Sequence, residues 1–169
     1  RYEASTSRFA DANSNWAAKE IATLTSAGII EGYEDGTFRP DDSITRAEYA
    51  AIASRFDKLE SGTMRFSDVP PTHWAYSAIA SAAEKGWING YSDGTFRPDN
   101  YITRAEAVTL TNAVLNRICD EEFVAEHIDE VLTFNDLPST HWAYGEIMEA
   151  ANAHDYEGAD GIEHWTSLK

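Results

Sequence analysis

Residues Gly28–Glu48 read GIIEGYEDGTFRPDDSITRAE, and Gly86–Glu106 read GWINGYSDGTFRPDNYITRAE. Set against each other at an offset of 58, they agree at 16 of 21 positions, so the chain contains a duplicated unit. Upstream the likeness continues: Phe9-Ala-Asp11 leads to Trp16, and Phe66-Ser-Asp68 leads to His73-Trp74-Ala-Tyr76. A third copy opens at Phe134-Asn-Asp136 and repeats HWAY at His141–Tyr144. It then departs. Tyr156–Gly161 is an eroded form of the Gly-Tyr-x-Asp-Gly loop, and no ITRAE follows. The expected organisation is a first repeat over about 9–56, a second over about 66–118, an acidic insertion over about 119–133 and a degenerate third over about 134–169.

Each unit reads as helix, glycine-rich loop, helix. Ala17, Ile21 and Leu24 recur at helical spacing, as do Ala75, Ile79 and Ala82 or Ala83. Gly28 and Gly86 stand where a left-handed residue closes such a helix. Asp35-Gly36 and Asp93-Gly94, between β-prone residues, signal a tight turn or a minimal hairpin. The third helix is expected from about Trp142 to Ala153, and the insertion prolongs the helix before it or forms a short one of its own.

Thr45 and Glu48 are spaced as a capping box at a helix start, and Thr103 and Glu106 repeat the pattern. Apolar stripes follow, Tyr49, Ile52, Ala53 and Phe56 in one unit, and Ala107, Leu110, Thr111, Val114 and Ile118, with a single polar member, in the other. Folding thereby accounts for Thr, Ile and Glu of ITRAE, but not for Arg46 and Arg104. A cation at the first helical position opposes the helix dipole. With the free N–H groups of that helix end, its guanidinium makes a small anion site. The competing reading is a surface ion pair with a nearby acid, worth ~0–1 kcal/mol.

Thirteen Lys and Arg against 29 Asp and Glu give a net charge of −16, a field that repels nucleic acid and anionic membranes. No apolar run approaches the roughly 20 residues of a membrane span. Cys119 is the single cysteine, so no intrachain disulfide is possible. Arg1 opens mid-pattern, as in a mature chain or an excised fragment, and Arg1-Tyr-Glu3 faintly echoes Arg46-Ala-Glu48.

The motifs FxD…HWAY, GYxDGTFRPD and ITRAE resemble the S-layer homology (SLH) domain over nearly the whole chain. The resemblance implies a mainly α fold, with three helix–loop–helix repeats in a pseudo-threefold arrangement around a central helical bundle. Short β segments in the Asp-Gly loops are expected, and ligand grooves between adjacent repeats. It implies a non-catalytic, secreted module on the bacterial cell surface, fused to a larger protein. Such a module binds secondary cell-wall polysaccharide non-covalently, through a pyruvylated amino sugar. Carried over by residue, Arg46 and Arg104 bind the pyruvyl carboxylate, and Gly32 and Gly90 let the backbone approach the sugar. Asp11, Asp68 and Asp136, with Trp16, Trp74 and Trp142, line or support the grooves. The third repeat lacks TRAE, so no arginine carries over there.

Read as residues alone, the tryptophans are core, Asp35 and Asp93 form turns, and His73 and His141 begin helices. No cofactor is implied, and the histidines show no metal-ligand spacing with the lone cysteine. A calcium-binding structural or protein-interaction repeat is the alternative function, although the acidic loops lack the EF-hand pattern. A glycosidase is disfavoured, because a duplicated pattern offers no unique carboxylate pair.

Overall fold

A computed structural model describes residues 6–59, 61–158 and 163–169. The echo at Arg1–Glu3 and part of the eroded loop at 156–161 lie outside the described residues. The elements in order are a 3-10 turn (Ala10–Ala12), α1 (Ala18–Ser26), α2 (Arg46–Ala53), α3 (Tyr76–Glu84), α4 (Arg104–Leu115), α5 (Glu121–Glu126), α6 (Tyr144–Ala151), β1 (His154–Glu157) and β2 (His164–Leu168). The chain is mainly helical and falls into two compact units, Arg1–Ile102 and Thr103–Lys169.

In the first unit Phe9, Ala12, Ile21 and Ile30 form a buried cluster, joined by Leu24, Phe38 and Ile52. The repeat is visible as two matching ring pairs, Phe9–Phe38 at 5.4 Å and Phe66–Phe96 at 5.2 Å. Between α1 and the loop, Gly28 takes φ +73°, and Gly86 takes φ +72° after α3. Glycine adopts this left-handed conformation without the strain a Cβ would bring. Six successive residues of α3, Ala78–Ala83, are buried, and this helix packs against α2. Small side chains let the two helix backbones approach.

The Asp-Gly turns close as expected: the Tyr33 amide donates to the Thr37 carbonyl at 2.8 Å, and Tyr91 repeats this to Thr95. No strand flanks them, however. Among the described residues the first unit has one isolated bridge, Thr45 to Tyr101. Pro40 and Pro98 stop any ladder immediately after the turns. The β segments expected in those loops lie instead in the second unit. There β1 and β2 pair antiparallel, with an irregularity between Asp155 and Tyr156.

In the second unit Val124, Val131, Met148 and Trp165 form the buried cluster. The acidic insertion supplies a separate helix, α5, whose first turn is capped by Asp120 accepting from the Phe123 amide at 3.0 Å. Helix α4 packs on α6. Asn116, at φ +54°, ends α4, so Ile118 does not extend its stripe. Phe56 likewise lies beyond α2 and is exposed.

Candidate functional site

Both complete repeats build one device. Asp11 accepts from the Phe38 and Arg39 amides at 3.1 and 2.8 Å, and Asp68 accepts from Phe96 and Arg97 at 2.8 and 2.7 Å. Arg39 and Arg97 take φ +59° and +57°, a conformation that costs a side-chain-bearing residue about 1–2 kcal/mol. Each aspartate holds its loop in that shape. The Arg39 amide is the main cause holding the Asp11 carboxyl below its ordinary range.

The arginines so turned lie on the loop tyrosines, Arg39 4.2 Å from the Tyr33 centroid and Arg97 3.9 Å from Tyr91. Their far ends pair with Asp35 at 2.6 Å and Asp93 at 2.9 Å. The Thr37 and Thr95 hydroxyls also bond these carboxylates and are the largest cause drawing each down to about 2. Asp35 and Asp93 are therefore turn residues, as expected.

Both capping boxes are present, with Thr45 paired to Glu48 and Thr103 to Glu106. The two arginines behind them differ. Arg46 is only 7% exposed. Its Nε donates to the Phe96 carbonyl at 2.8 Å and Nη2 to Asn89 at 3.5 Å, and its guanidinium covers the Tyr91 and Phe96 rings. Nor are the first amides of α2 free. Arg46 and Ala47 donate to the Asn100 and Pro98 carbonyls at 2.8 and 3.0 Å. The anion site read from the sequence is thus occupied at α2 by the second repeat's own loop.

At α4 the corresponding groups remain available. Arg104 is exposed and has no ion pair among the described residues, and the Arg104 and Ala105 amides find no acceptor there. The third repeat lacks a GYxDGTFRPD loop that could receive them.

The loop positions that grip Arg46 have counterparts in the first repeat: Glu31, Tyr33 and Phe38 for Asn89, Tyr91 and Phe96. There they line an open cavity of about 290 Å³, shared with Gly32, Arg39, Glu48, Ile52, Arg55 and Trp74. Arg55 is held by the Ile29 carbonyl and Glu31 at 3.2 and 3.0 Å. Sequence reading missed Arg39 and Arg55 as lining residues, although the repeated Arg-Pro-Asp signalled the first.

The remaining candidates scatter. Gly32 is demanded by packing, since a Cβ there meets the Phe9 ring and the Thr37 carbonyl; Gly90 stands likewise against Phe66 and Thr95. Trp16, Trp74 and Trp142 are 90%, 66% and 65% exposed, which overturns their reading as core. Each precedes a helix start tied by its neighbour: Asn15, His73 and His141 accept from the amides two residues on. That tie fixes residues 15–17, 73–75 and 141–143 in a turn and leaves the intervening indole pointing outward. Asp136 is exposed and makes no side-chain hydrogen bond among the described residues, its loop partner being absent from the third repeat.

A model of the S-layer homology domain matches residues 8–50 and 65–108. The chain is 36% identical to "Cell surface glycoprotein 1" of Acetivibrio thermocellus over 170 residues, 93% of this chain and 7% of that protein. It is 41% identical to the "Cellulosome-anchoring protein" of the same organism over 152 residues, 86% of this chain and 32% of that one. To the "Surface-layer 125 kDa protein" of Lysinibacillus sphaericus it is 38% identical, over 57% of this chain and 8% of that one. The chain thus spans at most about a third of the length of these relatives.

Proposed function

The chain belongs to the S-layer homology domain family, and from that premise we propose that it anchors a larger surface protein non-covalently to the bacterial cell wall. Its ligand is the secondary cell-wall polysaccharide, recognised through a pyruvylated amino sugar. The observation that carries this reading is the cavity of the first repeat, where Trp74 stands beside Arg39, Arg55 and Glu48. An exposed indole offers an apolar face to a sugar ring, and arginine offers paired donors to a carboxylate. On a chain of net charge −16, an anionic polymer must be caught by such local arginines.

Within this reading Arg104, with the uncommitted amides of α4, takes a second carboxylate. Arg46 acts on the ligand through the loop it shapes, and Gly32, Gly90, Asp11 and Asp68 do the same. Trp16, Trp142 and Asp136 stand as further exposed contacts for the polymer.

The test is sedimentation with purified wall sacculi before and after chemical removal of the polysaccharide and, separately, of its pyruvyl groups. Binding should disappear with the polysaccharide and fall at least about tenfold with the pyruvyl groups alone. Undiminished binding to stripped sacculi would overturn the polymer reading. Full binding to depyruvylated polymer would overturn only the carboxylate.

A further inference from the structure

The third repeat departs from the others in a second way. Glu149 on α6, His154 on β1 and Glu163 just before β2 bring one ligand atom each to within 4.8 Å of one another. Glu149 is fully buried, and the side chains of His154 and Glu163 are nearly so. We propose that these three residues form a site for one divalent transition-metal ion of the Zn²⁺ type.

The imidazole decides the matter. His154 Nδ1 lies 2.8 Å from the Asn152 carbonyl, which can only accept, so Nδ1 carries a proton. Nε2 therefore faces the two carboxylates, 3.4 Å from Glu163 Oε2 and 3.6 Å from Glu149 Oε1. In a neutral imidazole that nitrogen turns a lone pair toward two carboxyl groups, an arrangement that a cation bound between them satisfies. A proton on Nε2 would draw one carboxylate to roughly 2.7–2.9 Å. Ligands of a tetrahedral ion at bond lengths of about 2.0–2.1 Å stand roughly 3.3 Å apart. The two separations from Nε2 fit the ion better than the proton.

The surroundings agree. Glu149 Oε1 is buried and has Arg117 Nη2 2.6 Å away as its ion-pair partner, and the same nitrogen donates to the Glu149 main-chain carbonyl at 3.4 Å. Glu149 Oε2 accepts from Trp165 Nε1 at 3.1 Å, and the Trp165 indole stacks on His154 at 3.8 Å and 12°. Ligands oriented by a carbonyl, an indole N–H and a stacked ring are the supports a metal site requires. One nitrogen and two carboxylates suit zinc and leave a fourth position for water. Such an ion would tie both ends of the β1–β2 hairpin to α6, in the repeat that has no GYxDGTFRPD loop.

The experiment loads the chelator-stripped full chain with Co²⁺ and with Zn²⁺. One equivalent of Co²⁺ should give the visible d–d bands of a tetrahedral site, displaced by Zn²⁺, and Zn²⁺ should raise the melting temperature. Glu163→Gln and His154→Gln should each weaken binding at least about tenfold. Absence of a stoichiometric cobalt spectrum in the wild-type chain would overturn the site. Affinity unchanged in Glu163→Gln would overturn it too, placing the metal outside this cluster. If His154→Gln fails to fold, the wild-type spectrum and Glu163→Gln decide.

Discussion

Arg46 lays its guanidinium over the Phe96 ring, 4.6 Å from the centroid, and donates from Nε to the Phe96 carbonyl at 2.8 Å. Fifty positions of sequence separate the two. One buried side chain thus joins the start of α2 to the second repeat's loop, whose Pro98 and Asn100 carbonyls cap the same helix end. The charge that looked misplaced at a helix N-terminus is met by carbonyl dipoles and ring faces from the second repeat.

Arg46→Ala should therefore cost stability, about 2–4 kcal/mol, by leaving buried carbonyls without their donor and losing the stacking. Arg46→Lys should recover little, because an ammonium cannot span two carbonyls and lie flat on a ring. Arg104→Ala, at an exposed position, should change stability by less than about 0.5 kcal/mol while weakening sacculus binding. Urea melts paired with sedimentation check all three. Equal stability losses at the two arginines would refute the asymmetry.

Two glycines should answer substitution differently. Gly28 has φ +73° with open space around it, so Gly28→Ala meets only backbone strain, about 1 kcal/mol. At Gly32 an added methyl runs into the Phe9 ring and the Thr37 carbonyl, and overpacking of that kind costs about 3 kcal/mol. Gly90→Ala should follow Gly32→Ala, since Phe66 and Thr95 stand in the same places. Denaturant midpoints for the three variants give the order directly.

What the sequence disclosed was local. The capping boxes, the glycine helix ends and the Asp-Gly turns depend on residues within about four positions, and all are present. The burial of Arg46 was not legible, because its partners Asn89 and Phe96 lie 43 and 50 positions away. A large aromatic residue at a repeated position also reads as core. Only the side-chain-to-amide ties at Asn15, His73 and His141 turn those indoles outward. The Glu149–His154–Glu163 cluster escaped notice for a third reason: it forms across a hairpin, in the region where the repeat pattern fails.

Asp35 and Asp93 give the chain a defined acid response. Their folded-state values of about 2 lie below the ordinary aspartate range, the Thr37 and Thr95 hydroxyls being the first cause. Their contribution to stability is then complete above about pH 4–5 and is lost as the pH falls toward 2. The stability gap between wild type and Asp35→Asn/Asp93→Asn should accordingly be constant near neutrality and close on acidification. Denaturant midpoints at a series of pH values measure it. A gap that stays unchanged down to pH 2 would mean that the carboxylates gain nothing from their loops.

Trp74 separates binding from folding most cleanly. It lines the first repeat's cavity yet is 66% exposed, and its backbone turn is fixed by His73 accepting from the Ala75 amide. Trp74→Ala leaves that tie intact, so the melting temperature should move by no more than about 2 °C, as expected of a surface change under about 0.5 kcal/mol. Removing the apolar face beside Arg39 and Arg55 should nonetheless weaken sacculus binding about tenfold or more, in line with the loss of an aromatic anchor worth about 1.5–2 kcal/mol. Trp16→Ala, at 90% exposure and outside that cavity, removes only a peripheral contact and should cost clearly less, about threefold. If the two variants lose affinity equally, the polymer runs along the exposed tryptophans and not into the cavity, and the site must be redrawn around the indoles.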